Sequence, residues 1–231
     1  HTKAYSHLGL ALQDAGKIDD AYSIFNFPGL VAKYQFSEVE GWESVSAFNE
    51  DLKKYVYQHP TLLQDRPGKP INRGRQTFEI FNDKTPVMAA LSQKINACLQ
   101  THLSKCAADS ENSFLNSFFK YIPPNLRLSG WAVVLESEGF QNSHIHPESY
   151  CSGVYYIQVP DAVKQNNSGE GFLNFGTSFI TANEGEKIDK YTIRPEEGLL
   201  VIFPSYFWHS TIPFVSDSDR LCISFNTIPV A

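Results

Sequence analysis

The sequence predicts an α+β fold, with helices in the first half of the chain and an antiparallel β structure in the second half. Apolar residues at helical spacing mark the first half, most clearly in residues 85–105, where Val87, Leu91 and Ile95 fall on one stripe. After Pro123-Pro124, β-branched and aromatic residues gather in short apolar runs bounded by turn residues. Helices followed by strands favour a layout in which the helices brace one face of a sheet. The predicted strands are 126–136, 151–159, 171–180, 189–194, 198–204 and 220–228.

The first 27 residues predict a pair of helices joined by a turn at residues 15–17. Leu8-Gly9 followed by Ala21 and Phe25 resembles one tetratricopeptide repeat, which cannot bury its apolar face alone. We therefore interpret residues 1–27 either as the last repeat of an upstream array or as a helix pair docked on the main domain, residues 28–231. Two ordinary antiparallel helices are the alternative.

The rest of the first half predicts one further short helix, one long helix and two connecting segments. Residues 28–37 are expected to be a connector, and residues 64–76, rich in Gly and Pro, an exposed loop. The short helix begins near Val45 and ends before His59-Pro60, because a residue that precedes proline avoids helical angles. The long helix carries His102, which we expect to be partly exposed. The loops at 161–170 and 181–190 could cover a pocket.

Composition excludes several classes of function. The net charge of -6 and the lack of a basic stripe argue against nucleic-acid binding. No stretch approaches the roughly 20 apolar residues of a membrane span. The four cysteines form no C-x-x-C pair, so we expect reduced, mostly buried thiols and a cytoplasmic protein.

Three histidines have neighbours that indicate a metal site. His144 and His146 stand at i and i+2, and alternate residues of a strand share a face. His209 follows the predicted strand 198–204, so a neighbouring strand could bring it to the pair and complete a facial ligand set. Glu148 shares the same alternation and could supply a carboxylate ligand or orient an imidazole. The alternative is a chance pair on a surface strand and a histidine buried in the core.

Arg220 adds a second chemical requirement. It lies eleven residues beyond His209 and opens an apolar strand. A guanidinium facing an apolar interior is costly unless it meets an anion, and its planar fork suits bidentate binding of a carboxylate. The alternative is that Arg220 ends a loop and points to solvent.

This order of residues resembles the 2-oxoglutarate- and Fe(II)-dependent oxygenase superfamily. The resemblance covers about residues 38–229 and is carried by an H-x-H pair, a strand ending in Phe203-Pro204, a distal His209 and an arginine about ten residues later. In detail the chain is similar to a bacterial branch of that superfamily built on H-x-H-P, here His144-Ile-His146-Pro147, followed by S-G-V-Y-Y, here Ser152-Gly-Val-Tyr-Tyr156.

The resemblance implies a jelly roll (a double-stranded β-helix) and a dioxygenase of the hydroxylase type that uses Fe(II), 2-oxoglutarate and O₂. It makes His144 and His209 iron ligands, with His146 in the position that a carboxylate usually holds. Arg220 would bind the distal carboxylate of 2-oxoglutarate, and Tyr156 rather than Tyr155 would help to bind this co-substrate. Asn226 would line the pocket. The primary substrate is not implied, and a protein or peptide is one candidate.

Two other functions fit parts of the pattern. A cupin-type metal protein shares the jelly roll and the H-x-H motif, but Gly139 is one residue too near His144, Glu148 arrives too early, and Arg220 would have no role. A non-catalytic binding module would use the N-terminal helices to recruit a partner, although the complete set of histidines and arginine argues against it.

Overall fold

A computed structural model describes residues 2–109, 117–176 and 189–230. The described helices are α1 (Thr2–Asp14), α2 (Ile18–Ile24), α3 (Phe27–Leu30), α4 (Val45–Gln58), α5 (Pro86–Asp109), α6 (Asp161–Gln165) and a 3-10 helix (Ser117–Lys120). The described strands are β1 (Ala32–Gln35), β2 (Leu63–Gln64), β3 (Ile71–Gln76), β4 (Leu126–Gln141), β5 (Cys151–Gln158), β6 (Leu173–Phe175), β7 (Tyr191–Ile193), β8 (Leu199–Pro204), β9 (His209–Thr211) and β10 (Arg220–Pro229).

The strands form two antiparallel sheets, and the predicted α+β jelly roll is confirmed. The larger sheet has the order β1-β8-β5-β10-β4-β3-β2, and the smaller has the order β7-β6-β9. Strand β10 lies at the centre of the larger sheet, where it pairs with β4 on one side and β5 on the other. This placement carries Arg220, the first residue of β10, into the interior.

The larger sheet is covered on both faces, which explains why β5 and β8 are buried along almost their whole length rather than at alternate residues. Helix α4 packs Phe48 and Leu52 into the core on one side, and Asn49 of the same helix accepts a hydrogen bond from the hydroxyl of Tyr155 at 2.7 Å. Helix α4 ends at Gln58, and His59 has extended backbone angles before Pro60, as predicted.

The N-terminal helix pair packs directly on the jelly roll. The hydroxyl of Tyr206 donates to the carbonyl of Ile24 at 3.0 Å, and the ring of Phe27 meets that of Phe207 at 4.8 Å between centroids. A Cβ at Gly9 would lie 2.4 Å from Phe25, so glycine permits the close approach of α1 to α2. The pair is therefore docked, which is one of our two interpretations, whereas the domain boundary at residue 27 stays a prediction.

Several elements differ from the sequence prediction. The predicted loop 64–76 contains one of the two residues of β2 and all of β3. Strand β3 adds to the free edge of β4 through backbone hydrogen bonds, which its polar side chains do not predict. The connector 28–37 contains β1, and the loop 161–170 contains α6. His102 is buried rather than partly exposed, since Phe119 of the 3-10 helix packs against its ring. The end of the predicted strand 171–180 and most of the loop 181–190 lie outside the described residues.

Two further predictions concern thiols and membranes. All four cysteines are free thiols, three of them buried. Within the described parts of the chain, no helix combines the length and the apolar character that crossing a bilayer requires.

Candidate active site

The three histidines come together where the segment between β4 and β5 crosses the first residue of β9. The backbone N–H of His144 donates to the carbonyl of His209 at 3.0 Å, and the N–H of His209 donates back at 3.1 Å. The N–H of His146 donates to Ser205 at 3.1 Å. Residues 144–146 do not belong to a regular strand, because β4 ends at Gln141 and an isolated bridge pairs His144 with His209. These backbone hydrogen bonds nevertheless fix the main chain that carries His144 and His146.

The side chains of this triad have the geometry of a metal-binding group. One ring nitrogen from each of His144, His146 and His209 lies within 4.8 Å of the other two. The ring centroids of His144 and His209 are 4.3 Å apart, and those of His146 and His209 are 5.1 Å apart. Glu148 is exposed and lines a separate cleft with Tyr5 and Tyr121, so the structure does not bring it to the triad.

Burial keeps the triad in the protonation state that binds metal. Desolvation lowers the pKa of His144, and it lowers those of His146 and His209 further, with the neighbouring imidazoles adding to the effect. At neutral pH each ring is therefore uncharged and keeps a lone pair for a metal ion.

Arg220 is buried in the same cavity without an anionic partner. Its side chain is 2% exposed, so the alternative that it points to solvent is wrong. Within residues 2–109, 117–176 and 189–230, no carboxylate forms an ion pair with it, and its Nε has no hydrogen-bond partner. Its contacts are a weak bond to the Sγ of Cys222 at 3.8 Å and the ring of Tyr156, whose centroid is 4.9 Å from Cζ.

Both sheets contribute to the cavity that holds these groups. The hydroxyl of Tyr156, the indole N–H of Trp131 and the Nε of Arg220 are buried there, and none of them has a hydrogen-bond partner in the part of the chain that the structure describes. Tyr155, by contrast, points to the opposite face of β5 and bonds to Asn49. The residues that line the cavity are Trp131, Gln141, His144, His146, Gly153, Val154, Tyr156, Leu173, Phe203, His209, Thr211, Arg220, Cys222 and Ser224.

Asn226 lies against His146. Its side-chain amide is 3.5 Å from the Nδ1 of His146, and its Oδ1 accepts from the hydroxyl of Ser152 at 2.8 Å. Ser152 also shares a hydrogen bond with Ser205 at 2.7 Å. Ser152 and Ser205 were not predicted as site residues, although Ser152 begins the S-G-V-Y-Y motif on which the resemblance rests. Trp131 was likewise not predicted, since its role depends on the pairing of β4 with β10.

The residues present fit the cofactors that the sequence predicts. Three neutral imidazoles on one side of a cavity can hold a divalent iron ion and leave coordination positions open. The cavity also contains buried donors without an acceptor among the described residues, on Arg220, Tyr156 and Trp131. An unsatisfied buried donor costs folding free energy. A dicarboxylate that bridges the metal side and the arginine side of the cavity would satisfy both requirements.

Comparison with known proteins agrees with this chemistry. Residues 129–226, which contain the triad, Arg220 and Asn226, match a family model described as "Putative 2OG-Fe(II) oxygenase". No curated protein sequence matches the chain significantly.

Solved structures match the chain at low sequence identity, so the match shows a similarity of fold. A prolyl-4-hydroxylase from Pseudomonas putida is 12% identical, with 92% of this chain and 100% of that chain covered and a TM-score of 0.54. A prolyl hydroxylase from Trichoplax adhaerens, in complex with a hypoxia inducible factor peptide fragment, is 14% identical (coverage 99% and 90%, TM-score 0.56). The α-ketoglutarate-dependent carbocyclase SnoK from nogalamycin biosynthesis is 12% identical (coverage 87% and 81%, TM-score 0.58). Residues 129–226 thus match a model of 2-oxoglutarate- and Fe(II)-dependent oxygenases, and the fold and the histidine triad agree with that match.

Proposed function

We propose that His144, His146 and His209 hold the Fe(II) of this dioxygenase, and that Arg220 and Tyr156 hold its 2-oxoglutarate. The observation that carries the proposal is the buried Arg220, which lacks an anion and lines the same cavity as the three imidazoles. Its planar guanidinium would bind the distal carboxylate in a bidentate way, and the Tyr156 hydroxyl would donate to the same group.

Each residue then has a defined task. With 2-oxoglutarate and O₂ bound, the iron centre supplies oxidative decarboxylation to succinate and CO₂, coupled to oxidation of a substrate C–H bond. The imidazoles fix the metal, Arg220 and Tyr156 fix the orientation of the co-substrate, and the apolar walls formed by Leu173 and Phe203 limit the access of water.

A protein or peptide is our proposed substrate class. The prolyl hydroxylase from Trichoplax adhaerens, which resembles this fold, is in complex with a peptide fragment. The resemblance of residues 1–27 to a tetratricopeptide repeat also supports this class, because such repeats commonly bind peptides. Their packing against the jelly roll would keep a bound peptide close to the catalytic domain.

The test is formation of succinate from 2-oxoglutarate by the purified protein. Many enzymes of this kind turn over co-substrate slowly without primary substrate, so succinate should form with Fe(II) and stop when a chelator removes it. The variant His209→Ala, which lacks one of the three proposed ligands, should form none. If no turnover occurs, and 2-oxoglutarate also leaves the spectrum of the metal-loaded protein unchanged, the proposal is wrong. A cupin-type site would bind metal but give that negative result with 2-oxoglutarate, and a non-catalytic module would bind neither.

A further inference from the structure

Each of the three imidazoles has a hydrogen-bond partner at Nδ1. The Nδ1 of His144 lies 2.7 Å from the carbonyl oxygen of Asn142, and the Nδ1 of His209 lies 2.9 Å from that of Phe207. A carbonyl oxygen can only accept, so both rings carry their proton on Nδ1 and leave Nε2 for a metal ion. For these two ligands the main chain fixes the tautomer.

His146 differs because its Nδ1 partner is a side chain. The amide of Asn226 lies 3.5 Å from this nitrogen. The same amide bonds to Ser152, which in turn bonds to Ser205, and Asn226 is itself buried at 8% exposure. The orientation of His146 therefore depends on a hydrogen-bonded chain that mutation can change.

We infer that Asn226 is a positioning residue for the metal centre, and that it holds His146 in the metal-binding tautomer by accepting a hydrogen bond from its Nδ1–H. This inference rests on the proposed role of His146 as an iron ligand. Metal-ligating imidazoles generally donate their second N–H to an acceptor, and loss of that acceptor typically lowers metal affinity about 10- to 100-fold.

The amide of Asn226 can serve either tautomer. With Nδ2 toward His146, the amide donates to Nδ1 and the proton of the ring is on Nε2, where it blocks the metal. Rotation of the amide by half a turn places Oδ1 toward Nδ1–H and Nδ2 toward Ser152. Ser152 then donates to Ser205 instead of to Asn226, so every group of the chain keeps a partner. Metal binding selects this second orientation.

The inference can be tested through metal affinity, without turnover. We would titrate the metal-free protein with Co(II) or Ni(II) and follow visible absorption or heat. Asn226→Leu has nearly the same volume but no acceptor, and its metal affinity should fall about 10- to 100-fold. Asn226→Asp restores an acceptor at the same place and should bind metal within a factor of a few of the wild type. If Asn226→Leu does not fold, Asn226→Val, which is smaller and suits a strand, takes its place.

The matched control is Asn49→Leu. Asn49 is also a buried asparagine that accepts one side-chain hydrogen bond, but it lies on α4 and contacts Tyr155. This variant should lose stability and keep its metal affinity. Wild-type metal affinity in Asn226→Leu, or an equal loss in Asn226→Asp, would overturn the inference and leave the proposed function standing. A wild-type protein that binds no metal would instead remove the proposed function.

Discussion

At the scale of single residues, Arg220 is the clearest case in which a site requirement opposes stability. A buried guanidinium without an anion costs folding free energy, and its replacement by an apolar side chain of similar size removes that cost. We expect Arg220→Met to raise the free energy of unfolding of the ligand-free protein, on the order of 1–4 kcal/mol. The same variant should bind 2-oxoglutarate more weakly by about 2–5 kcal/mol, while metal stays bound.

Thermal unfolding and calorimetric titration of the Ni(II)-loaded protein measure these two effects separately. Addition of 2-oxoglutarate should raise the melting temperature of the wild type and leave that of Arg220→Met unchanged. Equal co-substrate affinity in the two proteins would remove Arg220 from its assigned role.

The neighbouring tyrosines on β5 give a second prediction at this scale, in which one variant loses co-substrate affinity and the other loses stability. Tyr156→Phe removes a buried hydroxyl that finds no acceptor among the described residues, so stability should not fall. Its 2-oxoglutarate affinity should fall by about 1.5–3 kcal/mol. Tyr155→Phe removes the partner of Asn49 and should cost about 1–3 kcal/mol of stability without changing co-substrate affinity. Urea unfolding and co-substrate titration of both variants test this, and the reverse pattern would exchange their roles.

The sequence indicated the imidazoles and the guanidinium of this cavity because those side chains have few other uses in an apolar interior. His144, His146, His209 and Arg220 line one cavity, in agreement with the order of residues on which the resemblance rests. The hydrogen bond chain from Asn226 to Ser205 could not be predicted, because it joins β10, β5 and the residues after β8 through tertiary contacts. A pattern along the chain contains no information on such contacts.

At the scale of elements, the sequence predicted the helices and strands that bury an apolar face. It failed to predict strands that form only through backbone pairing with a neighbouring strand. Helix α4 and strands β5, β8 and β10 follow their apolar patterns closely. Strand β3 is polar because it lies near the edge of the sheet, and its identity comes from backbone bonds to β4.

His102 on α5 supports an element-scale prediction about pH. Burial, with a contribution from Lys105, lowers the pKa of His102 to about 4 in the folded state, whereas the unfolded chain has the ordinary value of 6.5. Between these values the unfolded state binds more protons, so stability should fall as the pH drops below about 6.5. From pH 7 to pH 5 this one group should account for a loss of about 2 kcal/mol.

Replacement by an uncharged side chain isolates that loss. The variant His102→Leu should lose about 2 kcal/mol less stability than the wild type between pH 7 and pH 5, measured by urea unfolding at both pH values. Because the wild type and the variant share every other titrating group, the difference reports His102 alone. Parallel pH profiles for the two proteins would contradict the prediction.

At the scale of the whole molecule, one apolar core joins the N-terminal helices to the strands of the site. Leu10, Ala21 and Phe25 of the helix pair belong to the same cluster of buried residues as Phe207 and Leu221. The packing thus couples the first 27 residues to the catalytic cavity.

Phe27 is the residue at which this coupling can be tested. Its ring stacks on Phe175 at 5.8 Å and meets Phe207 at 4.8 Å, and the carbonyl of Phe207 accepts from the imidazole of His209. We expect Phe27→Ala to cost about 3–5 kcal/mol of stability, whereas Tyr22→Ala, on the exposed side of α2, should change it by about 0.5 kcal/mol at most.

Denaturant unfolding followed by near-ultraviolet circular dichroism and by metal release distinguishes a coupled helix pair from an independent one. In Phe27→Ala, both probes should shift together to lower denaturant in one cooperative transition, because loss of the Phe27 ring loosens Phe207 and with it the hydrogen bond that orients His209. Metal affinity should fall in the same variant and stay unchanged in Tyr22→Ala. Two separate transitions, with metal release at the wild-type midpoint, would mean that the helix pair folds independently of the site. A single shared transition would show that the N-terminal helices are part of the structure that holds His144, His146 and His209 in place.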